Sequence, residues 1–148
     1  MKNEQFMRLA LAEAQSAAGF DEVPVGAVII KDGIVIASAH NMMNTMRDPT
    51  AHAELLAVKK ACDRLGGNAR LNSCVMYVTV EPCLMCIGAI LNARIKSVYF
   101  GAYEPETGGV DCFISSKHHS KIDFFPGILE NECKALMQKF FKEKRCYQ

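Results

Sequence analysis

Two short motifs, His52-Ala53-Glu54 and Pro82-Cys83-Leu84-Met85-Cys86, constrain this chain more than anything else in it. Each opens a helix-type pattern that follows a β-type stretch. Residues two apart on a helix point to nearly opposite sides, so His52 and Glu54 can share a target only ahead of the helix, in the direction side chains lean. Cys83 and Cys86, three apart, fall on one face at the start of the next helix. A fold that uses these residues together must bring two helix N-termini to one point.

Together the motifs offer three metal ligands of zinc type, His52, Cys83 and Cys86, and a spare carboxylate, Glu54. A structural zinc site is normally closed by four protein ligands, whereas a hydrolytic one leaves its fourth position to water. The positive ends of two helix dipoles favour the thiolate forms of Cys83 and Cys86. One divalent cation, two thiolates and a neutral imidazole sum to zero charge, and such a site lowers the pKa of water to about 7. Glu54 is the natural proton carrier beside it. The alternatives for these residue types are a redox-active or merely packed Cys-x-x-Cys, a satisfied core histidine, and a first-turn glutamate complementing its helix dipole. It is the pairing of the two motifs that points to a metal.

At 148 residues, half of them hydrophobic, the chain suits one domain, 1–148, with a sizeable core. No apolar run approaches the roughly 18 residues of a membrane span, and the start Met1-Lys2-Asn3-Glu4 lacks an export pattern, so no membrane association and a cytoplasmic location are expected. Seven cysteines, an odd number, do not read as a disulfide framework. Cys62 and Cys74 lie in apolar stretches and read as small core residues. The formal net charge of +1 gives no global pull toward nucleic acid. The one asymmetry is terminal, where Lys134, Lys139, Lys142, Lys144 and Arg145 face a single Glu143; they form either a solvated helix face or a phosphate contact.

Periodicity predicts a helix from Asn3 to about Gly19, strands over Val25 to Ile30 and Ile34 to Ala39 joined by an Asp-Gly hairpin, and a polar loop ending at Asp48-Pro49-Thr50. A helix from about Ala51 to Leu65, a central strand Cys74 to Val80, a helix from Pro82 to about Ala93 and a strand Ser97 to Gly101 follow. Tyr103 to Pro126 reads as loop with a short helix or edge strand, and Glu130 to about Arg145 as an amphipathic helix. This order argues for a three-layer α/β domain whose later strands are parallel.

At these residues the chain resembles the cytidine and deoxycytidylate deaminase superfamily, and within it the bacterial branch that acts on tRNA adenosine. The likeness extends to Glu22-Val23-Pro24-Val25-Gly26-Ala27, to Asp48-Pro49-Thr50-Ala51 before His52, to Glu81, to Phe100-Gly101-Ala102, and to Gly127-Ile128-Leu129 leading into Phe140-Phe141. The resemblance implies a cytidine-deaminase-like α/β/α fold with a central five-stranded mixed sheet, one Zn2+ per subunit on His52, Cys83 and Cys86, and Glu54 as the catalytic acid and base. It implies hydrolytic deamination of adenosine to inosine at the wobble position of a tRNA anticodon stem-loop, with ammonia released. Asn41 and the Ala53 backbone match positions that hold the base edge, and a homodimer is expected.

Where the tRNA enzymes usually carry an aspartate and then a lysine, this chain has Tyr103-Glu104-Pro105-Glu106, and Val110 to Pro126 matches the family poorly. His118 and His119 are therefore read as exposed loop residues. A deaminase of free nucleobases or nucleosides, such as guanine, cytosine or cytidine, is the nearest alternative. A binding module whose zinc is structural, closed by Cys112 or a loop histidine, is a third.

Overall fold

The densest β-branched and aromatic run of the chain, Cys74–Val80, forms β3, and every residue of it except Val75 is buried. A strand buried on both faces belongs at the centre of a sheet. A computed structural model, which describes residues 2–67 and 69–146, places it there, third in the order β2-β1-β3-β4-β5. β1 (Gly26–Lys31) runs antiparallel to both β2 (Ile34–His40) and β3, whereas β4 (Ser97–Ala102) and β5 (Asp123–Phe125) continue parallel to β3. The sheet is therefore mixed and five-stranded. Between β1 and β2, Asp32 and Gly33 both take positive φ (50° and 77°), the two left-handed positions of a tight hairpin turn.

Alternation along the strands divides the core in two. Ala27 and Ile29 of β1, with Met76 and Val78 of β3, face one side, where they pack with Ala57 and Ala61 of α3 (Ala53–Arg64) and Ile87 and Ile90 of α4 (Leu84–Ala93). Val28, Ile30 and Tyr77 face the other, against Met7, Ala10 and Leu11 of α1 (Lys2–Gly19) and Cys133 of α6 (Glu130–Cys146). The result is the expected α/β/α arrangement, with α4 as the crossover between parallel β3 and β4.

Three details differ from the sequence reading. A one-turn helix, α2 (Met43–Met46), forms within the expected loop after β2, because its backbone is held from outside by a side chain described below. Helices α3 and α4 begin at Ala53 and Leu84, two residues later than expected, and this leaves His52 and Cys83 as extended cap residues. The stretch after β4 contains both a short helix, α5 (Val110–Ile114), and the edge strand β5, with a 3₁₀ turn at His119–Lys121 between them.

Gly26 is where α1 meets the sheet. A Cβ there would sit 2.6 Å from the Ala14 amide nitrogen and overlap the Ala10 carbonyl, so only glycine lets the helix seat this closely. Gly26→Ala should therefore lower unfolding stability by about 1–3 kcal/mol, as overpacking against rigid backbone does. Urea denaturation checks it, and an unchanged midpoint would mean that α1 does not rest on this contact.

Candidate active site

Strands β2 and β3, both antiparallel to β1, carry the chain toward one end of the sheet, and there the starts of α3 and α4 meet. His52 and Cys83 are the N-cap residues of the two helices, both with extended backbone (ψ 151° and 170°), and neither makes a side-chain capping bond. Caps are normally Ser, Thr, Asp or Asn, whose oxygens satisfy the free amides. Here the cap side chains point at each other instead. His52 Nδ1 lies 3.6 Å from Cys83 Sγ and 3.4 Å from Cys86 Sγ. The three donor atoms lie within 4.8 Å of one another, and theirs is the one His/Cys/Asp/Glu group of this kind among the described residues.

That spacing fits a metal ion. A tetrahedral ion with Zn–S near 2.3 Å and Zn–N near 2.0–2.1 Å separates its nitrogen and sulfur ligands by about 3.6 Å. The protonation pattern agrees. Hydrogen bonds from Cys86 and then His52 push the Cys83 thiol down to about 4, so it is a thiolate at neutral pH. Cys86, which donates to Cys83 and is buried, is held above the usual thiol range, and His52 is raised by its bond to Cys83. Without an ion the trio thus retains protons that a divalent cation would displace. Cys112 is exposed and stands outside the group, as do His118 and His119, so the described fold does not build a closed four-ligand site from them.

Glu54, in the first turn of α3, is 4% exposed and within hydrogen-bonding reach of Cys86. Burial raises its pKa above the usual 4.5, which suits a group that must both take and give a proton. His52, Cys83 and Glu54 border a pocket of about 230 Å³. Asn41 and Ala53 are both on its wall. Asn41 is braced there: its side-chain amide donates to the Val23 carbonyl at 3.4 Å, and its oxygen accepts from the Met43 amide at 3.3 Å.

The rest of the wall was less legible in the sequence. Met137 and Phe141, which read as core positions of the terminal helix, reach the pocket, and Phe141 is 40% exposed. Two carboxylates brace the rims. Glu22 accepts from the amides of Asn44 at 3.0 Å and Thr45 at 2.6 Å, which is what folds α2 beside the pocket. Glu81 accepts from the amides of Glu104 at 3.2 Å and Val110 at 3.1 Å, on the opposite rim. The available signal was position: both acids lie within the family-like stretches, before β1 and after β3. Of the basic residues at the end of α6, Lys144 pairs with Asp21 at 2.7 Å and lies over the Phe140 ring.

A mixed sheet whose helix starts present a His/Cys/Cys group beside a buried glutamate is the arrangement of the deaminases. The chain matches the MafB19-like deaminase family over residues 1–145 and belongs to that family. It is 45% identical to the tRNA-specific adenosine deaminase of Agrobacterium fabrum, over 95% of this chain and 94% of that protein. Among solved structures it is similar to a tRNA:A34 deaminase studied for A-to-I editing at the wobble position, with TM-score 0.85 and 44% identity over 89% of this chain and 98% of the other. It is also similar to the guanine deaminase of Bacillus subtilis, with TM-score 0.67 and 44% identity over 72% of this chain and 68% of the other.

Glu22 generates a pH prediction. Burial alone would raise its pKa, but the amides of Thr45 and Asn44 and the Thr45 hydroxyl outweigh burial and hold it below the usual 4.5. A group depressed in the folded state stabilises above its unfolded pKa and loses that contribution as pH falls through the folded value. Glu22→Gln should cost about 1–3 kcal/mol at neutral pH. The gap to the unsubstituted protein should shrink as pH drops below 4.5, read by urea denaturation from about pH 7 to 3. A gap independent of pH would contradict this.

Proposed function

We propose that the protein is a zinc-dependent hydrolytic deaminase that converts adenosine to inosine at the wobble position of a tRNA anticodon stem-loop, releasing ammonia. The carrying observation is the open His52/Cys83/Cys86 group with buried Glu54 beside it, in a chain similar over nearly its whole length to enzymes of that activity. One Zn2+ fits the donor set. When bound, it supplies Lewis acidity that makes water a nucleophile at neutral pH.

The chain's own residues do the rest. Glu54 takes a proton from water, delivers it to N1 of the base, and passes a second proton to the amine that leaves from C6. Its burial, which favours the neutral form, keeps it a competent donor midway through that cycle. Asn41, clamped between Val23 and Met43, and the Ala53 backbone hold the base edge. The pocket admits a base only when it has been turned out of its stack.

The proposal includes a single domain over 1–148, a cytoplasmic location and a homodimer. No helix among the described residues is long and apolar enough to cross a membrane. The exposed side chains of Leu84 and Met85 at the start of α4, and of Tyr103, offer apolar surface suited to a second copy. A second reading, deamination of a free base such as guanine, is favoured by Glu104 on the wall and Glu106 two residues on, which put negative charge where RNA phosphate would approach.

Offering the purified protein an anticodon stem-loop alongside free adenosine, guanine, cytosine and cytidine separates the two. Inosine is expected in the RNA alone; ammonia from a free base instead would establish the second reading. Glu54→Ala should retain zinc and lose at least about 100-fold in ammonia release, the usual scale for a general acid-base group, and full turnover would refute its role. Metal analysis of Cys83→Ala should show lost zinc, and unchanged stoichiometry would refute the ligand set.

A further inference from the structure

The loop between β4 and α5 has little to hold it in place by itself. It lies outside both core clusters up to Val110, and its first residue, Tyr103, is exposed. Yet Glu104 and Thr107 of this loop line the pocket. One side chain, that of the residue before Pro82, reaches both of its ends. Glu81 Oε1 accepts from the Glu104 amide at 3.2 Å, and Glu81 Oε2 accepts from the Val110 amide at 3.1 Å, so one carboxylate holds both ends of the loop. Gly108 lies against that carboxylate: a Cβ there would overlap Glu81 and the Glu104 carbonyl. Backbone contacts then tie the loop to the ligand strand, with the Gly109 amide donating to the Pro82 carbonyl at 2.9 Å and a bridge between Cys83 and Gly108.

We infer that Glu81 is a positioning residue whose carboxylate suspends the 104–110 loop across the pocket mouth, so that the wall carrying Glu104 and Thr107 is already formed before substrate arrives. The inference rests on the deaminase reading of the site. The physical argument is population. A loop pinned at both ends by charge-assisted hydrogen bonds spends nearly all its time in the binding arrangement. A loop released from them populates it only fractionally, and apparent affinity falls by that fraction. Glu81 is on the pocket wall, but both of its carboxylate oxygens are taken up by the loop amides, so chemistry after binding is left intact.

The signature is a split between KM and kcat. In Glu81→Gln, one acceptor oxygen becomes a donor facing a backbone donor, and the KM for the anticodon stem-loop should rise at least tenfold while kcat changes less than threefold and zinc content stays at one per chain. Gly108→Ala is the independent variant: its methyl displaces the loop from the same carboxylate with Glu81 present, and it should reproduce the KM rise with bound zinc retained. Hydrogen exchange at the Glu104 and Val110 amides reads the suspension without any substrate, and both should exchange at least tenfold faster in Glu81→Gln. Unchanged KM in both variants, or equal fall of kcat and kcat/KM, would overturn the inference. So would unchanged exchange at the two amides. If the unsubstituted protein turns over no stem-loop, the functional reading fails, and the exchange arm still decides whether Glu81 holds the loop.

Discussion

The structure depends on one geometric constraint: two helices must start at the same place. Because β3 and β4 are parallel, the chain leaving β3 has to cross the sheet through α4, and α4 must begin at the end of β3 that also receives α3 from the β1-β2 hairpin. With Ala57 and Ala61 of α3 and Ile87 and Ile90 of α4 in one core, the helix starts have no freedom to separate. Buried alanines along α3 allow that helix to lie close on the sheet. The packing of the apolar layer therefore sets the spacing of the donor atoms.

Convergence of this kind carries an electrostatic consequence. Each helix start exposes backbone amides without intrahelical partners, and two such starts pointing at one spot create a positive field. A fold would usually relieve it with capping oxygens. This one leaves the N-cap side chains uncapped, places a thiolate and an imidazole at those positions, and adds a second sulfur within the first turn of α4. Glu54, also in a first turn, stays buried with no ion-pair partner among the described residues. The low-dielectric surroundings that penalise its charge hold its pKa above the usual 4.5, which suits the proton-carrying role proposed for it.

Much of this was legible in the sequence because it rests on local periodicity. The continuous apolar runs of β1 and β3, the Asp32-Gly33 turn and the helical spacing of Leu55, Val58 and Cys62 all name their elements directly. The His52/Cys83/Cys86 group was legible for a different reason, since Cys-x-x-Cys and His-x-Glu carry their geometry in their spacing. What was not legible depends on contacts distant along the chain. The α2 turn exists because Glu22, some twenty residues earlier, captures its amides, and no pattern within Met43–Met46 announces it. The pocket roles of Met137 and Phe141 were hidden because a helix that is amphipathic against a core and one that is amphipathic against a pocket look alike in sequence. The loop after β4, divergent from the family pattern, is held by Glu81, which stands just before the second motif but whose partners only the fold reveals.

The proposed chemistry requires that three protein donors hold the ion and leave a fourth position open. X-ray absorption at the zinc edge of the purified protein reads this directly. Two sulfur neighbours are expected at about 2.3 Å and two nitrogen or oxygen neighbours at about 2.0–2.1 Å, one of the latter exchangeable with added small anions. A third sulfur in the shell, or a fourth ligand that no anion displaces, would contradict it and make the site structural.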